Sequence, residues 1–408
     1  MISIGTLVLV DGCREALVEC EGSKPGTWDI CFEDDGSDEV DVNSARLKPA
    51  PRQIGTEELN GRGRGEFKVS HFLRNAQGVA SHHGRLSESV RVVVISDTHG
   101  LHREVMPPPG DILVHGGDFS NTGEPEQVSD LAEWLGALPH KEKVVIAGNH
   151  DITFDKEYYV DRGKDRFHPN LQQPHDVDEV RNKLISSSSC RYVEDAVVNV
   201  CDITTYGSPW QPEFCDWAFN LQRGEECYKM WKLIPSETDI LITHGPPHGH
   251  GDMTSTGEYC GCVDLMKRIG DVKPRLHLFG HVHEGYGCTT NGKTLFVNAS
   301  NCDNNYRTSQ LPIVIDLPMD RTLPPSVCQP SAATWTLADI KRWLKHKNLE
   351  EFIPNFIELH KNLKLGDGDI MNMFATDIHV FVSKLKTGNQ TNYKTLSKAL
   401  KNLYAESF

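Results

Sequence analysis

The rhythm of apolar and polar positions changes twice along the chain. Over residues 1–50, short stretches such as TLVLV, EALVEC and TWDICFEDDGSDEVDV alternate in character and are broken by Gly12, Gly22, Lys24-Pro25-Gly26 and Gly36. Alternation with turn residues at this spacing predicts short antiparallel strands and a small N-terminal β-barrel. Residues 51–89, with NGRGRGEFK near their start, are rich in Gly, Ser, His and Arg without a period and read as a linker.

From Val90 the pattern becomes apolar runs alternating with helical segments: RVVVIS, DILVHG, EKVVIAG, VVNVCDITTYG, DILITHG, LHLFGH, TLFVNAS and LPIVIDLP. Between the early runs, Val128, Leu131, Trp134, Leu135 and Leu138 recur at helical spacing. This predicts an α/β domain over 90–318 with a largely buried sheet, closed by a Pro-rich linker over 319–334. From 335 to 408 the period is helical. Thr336 to Asp339 resembles a capping box, Leu337, Ile340, Trp343 and Leu344 share a stripe, and a C-terminal helical bundle is expected. The last helix sets Tyr393, Leu396, Leu400 and Leu403 on one face, with Lys394, Lys398 and Lys401 elsewhere.

Charge and cysteine usage narrow the function classes. A net charge of −15 over 408 residues argues against nucleic acid as the main partner. Twelve cysteines without C-x-x-C spacing, and no signal-peptide pattern at the start, read as reduced thiols in an intracellular protein, cytoplasmic or nuclear. No apolar run approaches the roughly 18 residues a membrane helix needs. Asn298-Ala-Ser300 and Asn389-Gln-Thr391 match the glycosylation pattern and read as chance matches.

The chemistry gathers where the apolar runs end. Each delivers a polar cluster: SDTHG (Ser96–Gly100), HGGDFS (His115–Ser120), GNHD (Gly148–Asp151), ITHGPPHGH (Ile242–His250) and FGHVH (Phe279–His283). Open α/β sheets bind ligands at the carboxyl ends of their strands, so the five clusters can share one crevice. Carboxylate, imidazole and amide oxygen together suit Mn, Fe, Zn or Mg. His115 alone reads equally as a core histidine. The aromatic stretch with Trp210, Phe214, Trp217 and Phe219 reads either as a stacking wall for a nucleobase or as core under a long loop. His248 and His250 are either phosphate contacts or decoration of a Gly-rich loop. From this group Trp210, Trp217 and His248 are carried forward as substrate-binding candidates.

In this order the motifs resemble the calcineurin-like metallophosphoesterases, whose pattern is D-x-H, G-D, G-N-H-D/E, G-H and G-H-x-H. MPPPGDILVHGGDFSNTGEP, VVIAGNHDITFDKEY, YGSPWQPEFCDWAFNLQRG, LIPSETDILITHGPP and HEGYG bring the resemblance nearer to the MPPED-like phosphodiesterases, over about residues 90–318. The resemblance implies a central α/β β-sandwich flanked by helices. It implies a first metal on Asp97, His99 and His283, a second on Asn149, His244 and His281, and Asp118 bridging both. Some relatives carry Gly where this chain has His281, so the ligand set here is complete. His150 would be the general acid and Asp151 would favour its protonated form. The implied reaction is hydrolysis of a small phosphodiester, such as a cyclic nucleotide, by a hydroxide held between two divalent metals, with Mn the metal to restore in vitro. A phosphoprotein phosphatase or nuclease on the same centre, or a non-catalytic scaffold, are the competing readings.

Both flanks carry resemblances too. TWDICFEDDGSDEVDVNSARLKP resembles a Tudor or Agenet-type barrel. With 4 basic against 11 acidic residues in 1–50, such a barrel would favour a basic peptide, although Trp28 and Phe32 are the only aromatics for a cage. WTLADIKRWLKHKNLEEFIPNF and YKTLSKALKNL resemble a sterile alpha motif, which implies protein partners or self-association through the C-terminal domain.

Overall fold

The computed structural model describes the backbone of five strands within residues 7–49, then residues 79–186, 189–329, 337–347, 349–363, 385 and 390–406. It divides into one unit of residues 1–67 with 266–271 and another of 68–265 with 272–408. In the first unit, β1 (Leu7–Val10), β2 (Arg14–Glu21), β3 (Thr27–Phe32), β4 (Asp38–Asn43) and β5 (Leu47–Pro49) follow the alternating stretches. They pair antiparallel in the order β4-β3-β2-β1-β5, and among the described residues no ladder joins β4 to β5. The Trp28 and Phe32 side chains and residues 51–78 of the linker expected over 51–89 lie outside the described residues.

The second unit stacks two sheets. The larger joins β6 (Ser81–His83), β7 (Ser89–Ile95), β8 (Ile112–His115), β9 (Glu142–Val145), β10 (Arg191–Tyr192), β19 (Ile313–Pro318) and β20 (Ser326–Gln329), in the order β10-β9-β8-β7-β19-β20-β6. The other joins β11 (Ala196–Val200), β12 (Ile203–Ser208), β15 (Ile240–Thr243), β16 (Leu276–Phe279), β17 (Gly287–Thr290) and β18 (Leu295–Asn298), in the order β11-β12-β15-β16-β18-β17. A small parallel pair, β13 (Gln211–Pro212) and β14 (Asn220–Leu221), lies in the intervening loop. Strand β7 shows why such a run is apolar on both faces. Val90, Val92 and Val94 face the core between the sheets, whereas Val93 and Ile95 join the cluster that includes Val128, Leu131 and Leu135 of the helix Pro125–Ala137.

One buried charge sits in this frame. Asp316 on β19 accepts from Arg91 Nε at 2.7 Å and Nη2 at 2.9 Å, and His82 on β6 stands 3.0 Å away. Among the described residues, no helix is long and apolar enough to cross a membrane.

The C-terminal segment contributes the helices Leu337–His346, Ile353–Leu363 and Gln390–Glu406. Their stripes do not form a core of their own. Ile340, Trp343, Leu344, Phe356, Leu396, Leu400 and Tyr404 belong to the same buried cluster as the faces of the two sheets, and the Tyr404 hydroxyl donates to the Pro312 carbonyl at 2.7 Å. Lys401 departs from the surface role read for it. It is 8% exposed, while Lys394 and Lys398 stay exposed. Lys394 and Lys401, seven residues apart, share a helix face, and it is the loops at Glu104 and Thr308 that cover Lys401. The middle of the expected bundle, over 364–384, lies outside the described residues, as does Asn389.

Candidate metal centre

Strands β7, β8 and β9 run parallel side by side in one sheet, and β15 and β16 do so in the other. The turn after each carries the polar cluster: Asp97 and His99 after β7, Asp118 after β8, Asn149 and His150 after β9. His244 follows β15, and His281 and His283 follow β16. Four of these residues take left-handed backbone, with φ of 51° at Asp97, 44° at His99, 52° at Asp118 and 66° at His281. Such conformations cost about 1–3 kcal/mol each in a non-glycine residue, and they cluster where function demands a fixed geometry. Two glycines let the turns close. A Cβ at Gly280 would collide with Asp97 Oδ2, and one at Gly148 with Asp118 Oδ1.

The side chains converge in two groups. Ligand atoms of Asp97, His99 and His283 lie within 4.8 Å of one another, as do those of Asp118, His244 and His281. Asp118 Oδ2 stands 3.3 Å from His244 Nε2 and 3.9 Å from His99 Nε2, so this carboxylate lies between the groups. His244 Nδ1 donates to the Gly116 carbonyl at 2.9 Å, and His283 Nδ1 to the Asp303 carbonyl at 3.1 Å. A carbonyl only accepts, so both rings carry their proton on Nδ1 and turn an Nε2 lone pair inward. Asp97 is held by the Ser300 hydroxyl at 2.9 Å and the His281 amide at 3.0 Å.

The donors fit a pair of divalent cations. His244 Nε2, the Asn149 Oδ1 2.9 Å away and Asp118 Oδ2 are three acceptors meeting at one point, which repel until a cation or proton sits among them. His99 Nδ1 is buried without a hydrogen-bond partner, while His99 Nε2 meets His283 Nε2 at 3.3 Å. Burial opposes charge on His244, yet the Asp118 carboxylate raises it to about 9 in the metal-free protein. For Asp118 burial is likewise outweighed, by His244 and His150, and the carboxyl is held well below its usual range. Burial, helped by the neighbouring His150 and His244 respectively, drives His99 down to about 4 and His281 to about 3, leaving neutral imidazoles able to ligate. Imidazole, carboxylate and amide oxygen suit Mn, Fe, Zn or Mg rather than a thiolate-seeking ion.

His150 stands beside this centre, its ring 4.6 Å from His99 and stacked at 4.0 Å on Trp217. Its Nδ1 faces the Asn121 carbonyl at 3.0 Å. Asp151, the partner read from the sequence, instead accepts from Ser120 N at 2.9 Å, Ser120 Oγ at 2.6 Å and Gly148 N at 2.9 Å. It is a buried loop buttress, and Asn121 supplies the acceptor for His150.

The aromatic stretch splits three ways. Phe219 is core, Trp217 covers His150, and the half-exposed Phe214 meets the edge of His281 at 5.2 Å. Trp210 packs on Phe219 at 5.4 Å and donates to Asp195 at 2.8 Å. With Trp217 it lines a groove of about 610 Å³ whose other walls include Asp155, Glu157, Asp161 and Glu213. His248 is buried between Tyr259 and Asp252, 3.6 Å from the carboxylate. His250 stacks on Phe296 at 3.7 Å.

Asn298, in the glycosylation-like triplet, is 1% exposed and donates to the Gly251 and Val282 carbonyls. Its neighbour Ser300 fixes Asp97, and the following loop brings Asp303 and Tyr306 to the centre. Tyr306 lies 4.8 Å from His99 and 5.8 Å from His283. The signal was present in the sequence as a sixth strand end, TLFVNASNCDNNY, with the same polar ending as the others.

A family model for calcineurin-like phosphoesterases matches residues 90–285. Metallophosphoesterase domain-containing protein 1 of Homo sapiens is 46% identical over 237 residues, which covers 57% of this chain and 72% of the relative, and the Mus musculus protein matches to the same extent. The chain belongs to the calcineurin-like phosphoesterases. A UPF0046 protein of Caenorhabditis elegans is similar as well, 39% identical over 251 residues, covering 57% of this chain and 61% of that protein. Calcineurin-like phosphoesterases use divalent metal ions to hydrolyse phosphoesters, and the two ligand groups sharing Asp118 are where this chain would hold them.

Proposed function

We propose that this calcineurin-like phosphoesterase is a two-metal phosphodiesterase for small diesters with a planar group, cyclic nucleotides foremost. The observation that carries the reading is a complete pair of ligand groups around Asp118 with His150 and three aromatic rings beside it. Divalent ions there supply Lewis acidity and a lowered pKa for water. Asp97 and Asp118 contribute two negative charges, while four imidazoles and one amide contribute none. A centre loaded with two divalent ions is therefore net positive, and it can hold a diester anion inside a protein of net charge −15. With Nδ1–H fixed on the Asn121 carbonyl, His150 keeps Nε2 to carry a proton to the departing oxygen. After donation the ring is neutral and still held in place. Trp217, Phe214 and Tyr306 stand against His150, His281 and His99, and Phe214 and Tyr306 remain 47% and 49% exposed, open for a planar group to stack. Macromolecular phosphoesters, which need an open surface, fit this ring of aromatics less well.

The test is hydrolysis of bis(p-nitrophenyl) phosphate beside p-nitrophenyl phosphate by metal-stripped protein with Mn²⁺ restored, and by Asp118→Asn. Turnover favouring the diester and lost in the variant is the expected result. Preference for the monoester would move the reading to a phosphatase, and no turnover with Mn²⁺ bound would move it to a scaffold.

A further inference from the structure

The helix Gln390–Glu406 reaches the metal centre through one side chain. Lys401 Nζ donates to Thr308 Oγ1 at 2.8 Å and toward the Glu104 carbonyl at 3.4 Å, and the Thr308 hydroxyl donates in turn to Glu104 Oε2 at 2.7 Å. These contacts join two loops. Glu104 ends the short 3₁₀ turn that follows Asp97 and His99, and Thr308 closes the loop that holds Asp303 and Tyr306. Cys302 and Thr308 pair across that loop, the Cys302 amide donates to the Asp97 carbonyl at 3.2 Å, and the Asp303 carbonyl fixes the His283 ring. Every ligand of the first group therefore sits in, or is oriented by, a loop that Lys401 ties down. Among the described residues no such link is seen for Asn149 and His244 of the second group, which follow β9 and β15, whereas His281 meets the clamped loop only through its amide on Asp97.

We infer that Lys401 is a positioning residue for the first metal: the C-terminal helix is a working part of the phosphoesterase, clamping the Asp97–His99 loop to the loop that orients His283. The inference rests on the metal-centre reading given above. Outer-shell partners of metal ligands typically change affinity by about 10–100-fold when removed. The sign of the change separates positioning from simple charge. Deleting a nearby cation by electrostatics alone would tighten a divalent ion, whereas losing the clamp loosens it.

Full-length metal-free protein is titrated with Mn²⁺ by calorimetry and by electron paramagnetic resonance. The wild type, Lys401→Met, Thr308→Val and the exposed-site control Lys398→Met are compared. Two binding events are expected in the wild type and in K398M. In K401M and T308V one event weakens by about tenfold or more and the other holds. T308V leaves the helix and its apolar packing intact, so it decides the matter if K401M fails to fold. Wild-type or tighter binding of both ions by T308V, or by folded K401M, overturns the inference. No Mn²⁺ bound by the wild type overturns the metal-centre reading itself, and the inference with it. Two ions bound without turnover of any diester would sink only the proposed activity.

Discussion

Exchanging His150 for alanine removes the proton held for the leaving oxygen but no ligand. The expected result is a fall in kcat of about 10²–10⁴ with Mn²⁺ content unchanged, read by steady-state kinetics and metal analysis. Asp151→Ala, one residue on, should behave differently. It strips the acceptor from Ser120 and Gly148, so a loss of about 1–3 kcal/mol in stability is expected in urea melts. A kcat loss in folded D151A as deep as that of H150A would contradict the division of roles. Adjacency in GNHD suggested an acid and its partner. The turn after β9 instead sends the two side chains apart, one to the open centre and one into the loop packing, and no spacing rule in the sequence encodes that. The acceptor His150 does have is a backbone carbonyl, for which residue identity gives no signal.

At the scale of elements, the strands leading to the site were legible because their apolar runs end in polar clusters, as β7 does between two cores. The Asp303–Thr308 loop was marked only by the polar ending of β18, since it acts through a carbonyl and a tyrosine ring rather than through a motif. The turns themselves can be tested at their tightest point. Gly280→Ala is expected to abolish Mn²⁺ binding at the first group, because the new methyl displaces the Asp97 carboxylate, and a calorimetric titration of folded variant checks it. Retained binding would mean that the turn can open. Arg91→Ala should cost about 3–5 kcal/mol, since it leaves the buried Asp316 charge without its cation, against only His82 and the Leu86 amide among the described residues. Chemical denaturation measures this without reference to activity.

For the whole molecule the buried histidines set a pH profile. Burial pushes His115 and His281 to about 3 and His99, His248 and His250 to about 4, below the 6.5 of an unfolded chain. Each lowered imidazole gives stability that is present above 6.5 and lost as pH falls toward its folded value, at about 1.4 kcal/mol per unit. Asp151 and Asp252, raised by burial to about 7 and about 6, run the opposite way, but two carboxyls are outweighed by five imidazoles. His244, raised to about 9, gives the metal-free protein stability below 6.5 that disappears as pH rises toward 9. Metal-free protein should therefore melt highest near pH 6.5 and lose Tm on both sides, whereas Mn²⁺, which displaces the His244 proton, should erase the alkaline fall. A metal-free Tm flat from pH 4 to 9 would contradict it. The C-terminal segment shows what the sequence leaves unsaid at this scale: its apolar stripes read as the core of a separate bundle, yet the described ones share the buried cluster of the sheets.

Trp217 lies flat on His150 at 4.0 Å. An imidazolium quenches indole emission more strongly than a neutral ring does, so a proton on His150 would be written into the brightness of its neighbour. If His150 acts as proposed, the protein carries its own optical gauge of readiness, one that a stopped-flow fluorimeter can follow through a single turnover and that Trp217→Phe would switch off.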